Sequence, residues 1–189
     1  MRRILWVLVL LCLLFTACGS QKIDDRMQSA IDFRTTLMQN GGCSFMARVN
    51  ADYGERVYEF TMQCQYFADR EAHLTIIEPE MISGITAVVR QDGATVEFHD
   101  IELDFGTMAN GRIAPMTLPW LLGKAWSSEY IQSAGKDGDG SLVTYLMGYA
   151  DEELVVETWF GPEMVPLRCE ISHGGVRYLT VTVSEFILH

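Results

Sequence analysis

The side chains able to do chemistry are few in this chain and poorly spaced for it. The four histidines, His73, His99, His173 and His189, are scattered, and none stands in an HExxH or comparable ligand spacing. There is no GxSxG elbow, phosphate-cradling P-loop or GxGxxG turn, and Gly123-Lys124 lacks the rest of a Walker loop. The stretch "KDGDGS" sets Asp137, Asp139 and Ser141 at alternate positions, as a calcium loop would. Its continuation fails, because Leu142 stands where the sharp turn needs glycine and Gly148 where the bidentate glutamate belongs. A solvated hairpin turn is the reading. Asp100 and Glu102 alternate along an extended stretch, the pattern of a wet strand face rather than of a general acid and base. No catalytic residue, no metal site and no cofactor is expected, and the chain is read as a non-enzyme.

One thiol does stand in a telling context. Met1, Arg2 and Arg3 precede a block from Ile4 to Phe15 in which every residue is apolar, and "TAC" follows. A charged head and an apolar run make an export signal. The run holds 12 residues, against the roughly 20 that a helix needs to cross a bilayer. Thr16 and Ala17 before Cys18 resemble the lipobox of bacterial lipoproteins, with Phe15 where leucine is usual; a conventional signal peptide cut after Ala17 would use the same small residues. The resemblance implies that residues 1–17 are a lipoprotein signal peptide and that Cys18 carries the lipid (palmitate or a similar acyl chain) as the new N-terminus. Residues 18–22 then form a short flexible tether, and residues 23–189 the domain. The expected location is the extracytoplasmic face of the cell membrane, reached through a lipid anchor and not through a span.

Removing residues 1–17 from the 189-residue chain leaves 172, an ordinary size for one domain with one core. Arg2 and Arg3 leave with the signal while no acid does, so the net charge moves from −11 to −13. So acidic a surface excludes nucleic acid as a partner and gives no electrostatic hold on anionic headgroups. Attachment must then be covalent. Apart from Cys12 and Cys18, the thiols are Cys43, Cys64 and Cys169, with no CxxC among them. Export to an oxidising space permits one bridge and leaves one thiol over.

The apolar periodicity supplies the elements. From Ile23 to Asn40 it is helical, opened by Asp24 and Asp25 and stopped by Gly41-Gly42. After that the period is two. Cys43, Phe45, Ala47 and Val49 alternate with polar or exposed positions, and so do Tyr58, Phe60, Met62, Cys64 and Tyr66. A turn from Asp52 to Glu55 about Tyr53-Gly54 pairs Val49 with Tyr58, Ala47 with Phe60, Phe45 with Met62, and Cys43 with Cys64. That register makes a Cys43–Cys64 disulfide the expectation, with Cys169 unpaired. Further strands are expected at 71–78, 84–90, 94–105 with a break near Asp100, 129–133, 141–149, 153–160, 166–173 and 176–187. About ten strands joined by hairpin-length turns form an antiparallel sheet. "APMTLPWLLGKAW" interrupts them with a short apolar helix that has Pro119 in its first turn.

This order of elements is similar to that of the outer-membrane lipoprotein carrier superfamily, LolA and LolB, with its lipid-binding mycobacterial and sigma-factor-regulating relatives. The cues are a strand ending at Ile77-Glu78-Pro79, the "SGI" step from Ser83 to Ile85, the strand from Thr95 to Phe98, and Pro166 opening a strand that runs into "GGVRYLTVTVSEF". Together they span about residues 23–188. The resemblance implies a mainly β fold: a curved antiparallel sheet forming an unclosed half-barrel, lidded by the N-terminal helix and the short central helix, with an apolar cavity for acyl chains.

The inventory of 10 Met, 9 Phe, 7 Tyr and 4 Trp is large for one sheet and two helices to cover. Phe45, Phe60, Met62, Trp120, Leu121 and Trp126 are the candidates to line that cavity. The function expected is binding, presenting or transferring a lipid, acyl chain or lipidated protein. The alternative is a regulatory or structural envelope lipoprotein of the same fold, with a filled interior and a protein partner. For the anchor, the intact mass of membrane-extracted protein should show acyl increments on Cys18, and Cys18→Ser should leave no processed protein in the membrane.

Overall fold

The computed structural model describes residues 25–68, 70–91, 93–98, 101–105, 108–109, 112–148 and 153–189. The signal peptide, Cys18 and the tether lie outside the described residues.

Helix α1, Asp25–Gln39, buries Ala30, Phe33 and Leu37 along one face, spaced three and four apart as an amphipathic helix requires. Strands β1 (Gly42–Asp52), β2 (Val57–Phe67), β3 (Glu71–Glu78), β4 (Thr86–Arg90), β5 (Gly93–Phe98) and β6 (Ile101–Phe105) follow as a meander. A two-stranded ribbon, β7 (Met108–Ala109) with β8 (Arg112–Ile113), leads to helix α2, Leu118–Trp126, with Pro119 in its first turn. A second meander closes the chain: β9 (Ile131–Asp137), β10 (Gly140–Met147), β11 (Leu154–Phe160), β12 (Pro166–His173) and β13 (Val176–Leu188).

The two meanders become one eleven-stranded antiparallel sheet because the last strand pairs with the first, in the order β6-β5-β4-β3-β2-β1-β13-β12-β11-β10-β9. The sheet stays open, with β6 and β9 as its edges. This is the expected unclosed antiparallel half-barrel with its two helices, plus the ribbon that two-residue strands cannot announce by period. Strand β5 ends at Phe98 and β6 starts at Ile101, and the expected break near Asp100 falls on residues outside those described. Strand β4 begins two residues later than expected because Ser83 and Gly84 belong to the turn, where Gly84 N–H donates to Ile76 O at 2.9 Å. Strand β9 is displaced to Ile131–Asp137 because its pairing with β10 carries it through Gly135 and Lys136.

The β1–β2 register is corrected. Asp52 pairs with Val57, so four residues make the loop rather than two. Asp52 Oδ1 accepts from Gly54 N–H at 2.7 Å, Tyr53 N–H donates to Arg56 O at 2.9 Å, and Gly54 takes φ +80°. Val49 therefore faces Phe60, Ala47 faces Met62, Phe45 faces Cys64 and Cys43 faces Tyr66. The shift of two residues keeps every side chain on its expected face, yet it moves the thiols from opposed to diagonal positions. All three, Cys43, Cys64 and Cys169, are free and buried. The expected Cys43–Cys64 disulfide is absent, and the pairing that motivated it is not the one that forms.

Burial pushes the Cys43 and Cys169 thiols up to about 12 and raises Cys64 well above the ordinary value. Thiolate is the reactive form, so these groups are inert while the fold holds. At pH 8, iodoacetamide should leave Cys43, Cys64 and Cys169 untouched in the native protein. In guanidinium without reductant it should label all three, as read from intact mass.

Candidate functional site

The inner face of the sheet is where the sequence places a cavity, and a cluster of rings gathers there. Trp126, at the end of α2, is 0% exposed. Its ring meets Phe45 edge-on at 5.3 Å between centroids, Phe186 at 5.8 Å and Phe33 at 6.4 Å, and Phe33 meets Phe160 at 4.9 Å. These edge-to-face contacts join α1, α2, β1, β11 and β13. Trp126 Nε1 donates to Thr158 Oγ1 at 3.0 Å, and that hydroxyl lies 3.6 Å from Cys169 Sγ. The indole N–H is thus satisfied in the core.

Of the six candidate lining residues, Phe45, Met62, Trp120, Leu121 and Trp126 are buried in this core, and the structure brings Phe45 directly against Trp126. Phe60 is also buried, and one side of it borders a shallow groove on β2 and β3. None of the six lines the cleft described next. Burial cannot distinguish a packed position from a pocket wall, so composition alone could not separate them.

The cleft, about 800 Å³, lies between the C-terminal half of α1, the end of α2 and the end of β10. Met38, Tyr130, Leu146 and Met147 supply apolar surface, and Arg34 and Lys124 supply cations. Arg34 Nε donates to Ser127 O at 3.1 Å, which ties α1 to the end of α2. A second nitrogen of the same guanidinium is 3.8 Å from Glu129 Oε1, a pair worth little because that carboxylate is 94% exposed. Lys124 Nζ lies 5.4 Å from the centre of the Trp120 ring. A signal for part of this wall did exist in the sequence. Arg34 and Met38 are four apart, each one residue beyond a buried member of the α1 face, which sets them about 100° around the helix. The far wall, Leu146 and Met147, has no such signal, because only the fold brings β10 to α1.

One close approach holds α2 in place. The ring of Tyr66 on β2 packs where a Cβ on Gly123 would stand. Ser127 Oγ donates to Gly123 O at 2.8 Å, so Tyr66 Oη is the donor in its 2.9 Å bond to Ser127 Oγ. Glycine here is a packing requirement inside a helix that would otherwise prefer alanine. Among the described residues no group of three or more His, Cys, Asp and Glu is placed to hold a metal ion, and no helix is long and apolar enough to cross a membrane.

No protein-family model matches the chain, and no curated protein does. Solved structures do. The chain is similar to a LolA superfamily protein from Nitrosomonas europaea, at 10% identity over 87% of this chain and 93% of that one, with a TM-score of 0.49. It is similar to the lipoprotein LppX of Mycobacterium tuberculosis, at 12% identity over 87% and 96%, TM-score 0.37. A third likeness is to a chain in the complex of the CwlD amidase with the GerS lipoprotein of Clostridioides difficile, at 14% identity over 90% and 100%, TM-score 0.41. At these identities the likeness is at most one of fold.

Gly123→Ala tests the close approach. Helix propensity favours alanine by about 1 kcal/mol, whereas overpacking against Tyr66 costs about 1–3 kcal/mol. The variant should be net destabilised in a urea titration with an unchanged slope.

Proposed function

We propose that this chain is a non-enzymatic, membrane-tethered binding lipoprotein that holds the apolar part of an amphiphile, such as a lipid or acyl chain, in the cleft between α1, α2 and β10. The observation that carries this reading is the cleft itself. Its volume of about 800 Å³ falls within the roughly 300–1,000 Å³ of small-molecule sites. Thioethers at Met38 and Met147 beside Leu146 form an adaptable apolar wall, and Arg34 and Lys124 give an anionic or polar headgroup something to meet. The tether on Cys18 would keep the cleft close to a membrane source of such molecules. Presentation or transfer then follows from reversible binding and needs no reacting group.

A second reading, action through a protein partner, is favoured by the ring cluster that occupies the concave face. The two separate by experiment on a chain beginning after Cys18, with a fluorescent fatty acid as probe. Met38→Glu puts a carboxylate into the cleft wall and should weaken uptake at least tenfold with the melting temperature nearly unchanged. Leu121→Asp buries an unpaired charge at a position only 3% exposed, which costs several kcal/mol, and should instead unfold the domain. Equal uptake by wild type and Met38→Glu, or none by the folded wild type, would leave the protein-partner reading standing.

A further inference from the structure

Because neighbouring strands are antiparallel, the β1–β2 loop, the loop after β3 and the β12–β13 turn all lie at one end of the sheet. Large apolar side chains gather there in the open. Met81, on the helical turn Glu80–Ile82, is 87% exposed, Val57 55%, Val176 52%, Tyr58 45% and Ile77 42%. Tyr53 bridges the two turns, with its ring 6.1 Å from Tyr58 and 6.0 Å from Tyr178. Beside this patch runs a groove of about 460 Å³, bordered by Phe60, Ile77 and Pro79. Its rim carries Glu59, Glu78 and Glu80 against a single Arg48. Two of these carboxylates are held in place: Glu59 accepts from Asn50 Nδ2 and Glu78 accepts from Thr61 Oγ1, both at 3.1 Å.

We propose that this end of the sheet docks a protein segment in which an apolar side chain is flanked by lysine or arginine. The apolar residue would enter the groove over Ile77 and against Met81, and the basic neighbours would meet Glu59, Glu78 and Glu80. Complementary charge selects that occupant over the two others an apolar patch could take. A second copy of this chain would set carboxylate against carboxylate. An anionic bilayer would be repelled by the same rim. Helix α1 begins at the opposite end of the strands, where Arg26 Nη1 donates to Ser141 Oγ at the start of β10. The inference is independent of the cleft, which lies on other elements.

The test uses the full chain in the membranes of the cells that make it, with a benzophenone photo-crosslinking residue in place of Met81 and the attached peptide sequenced. The adduct should be a segment of a different protein containing an apolar residue next to lysine or arginine. Its yield should fall about tenfold with Glu78→Gln/Glu80→Gln, and measurably with Glu80→Gln alone. It should persist with Asp139→Asn/Glu163→Gln, which removes as much charge from exposed positions at the opposite end. Thermal melts on the same variants show that the fold is kept. An adduct to lipid, to a second copy of this chain or to an acid-flanked segment overturns the proposal. So does the absence of any adduct, or a yield that follows total charge rather than position.

Discussion

The burial of Trp126 is the constraint on which the rest of the structure depends. An open sheet exposes its concave face unless something covers it, and this ring, carried by a nine-residue helix, covers the middle of that face. It touches Phe33 of α1, Phe45 of β1 and Phe186 of β13, so one side chain joins both helices to both meanders. An indole in such a place needs a partner for its N–H, and Thr158 on β11 supplies it. Tyr66 and Gly123 complete the arrangement by letting α2 lie close upon β2.

The ring cluster gathers on the concave face, and the cleft lies beside it. Rings from five elements pack with the six residues expected to line a cavity, all of them buried, and a cleft opens where α1 passes the end of β10. The free surface is differentiated too. One end of the strands carries Val57, Tyr58, Met81 and Val176 above a carboxylate-rimmed groove, while α1 begins at the other end. On the outer face of the sheet, Glu170 is clamped between Arg168 and Arg177, and Arg168 also lies over the Trp159 ring. Glu170 is buried and paired with cations, whereas the acids around the groove are exposed.

What the sequence determined by itself is whatever local spacing controls. Alternation with period two puts Cys43, Phe45, Ala47, Val49, Phe60, Met62 and Cys64 on the inner face, and helical spacing defines α1 and the apolar α2. The turns at Gly54 and at Gly174-Gly175 are readable because positive φ favours glycine. Parity, however, is blind to a slip of two residues. Asp52 decided the loop length by accepting from Gly54 N–H, and with it whether Cys43 meets Cys64 or Tyr66. Only the tertiary structure decided the long-range facts: the first strand beside the last, β10 against α1, and which rings meet Trp126. Each depends on which surfaces meet after the chain turns back on itself, and a ring buried against other rings has the same hydropathy as a ring lining a pocket.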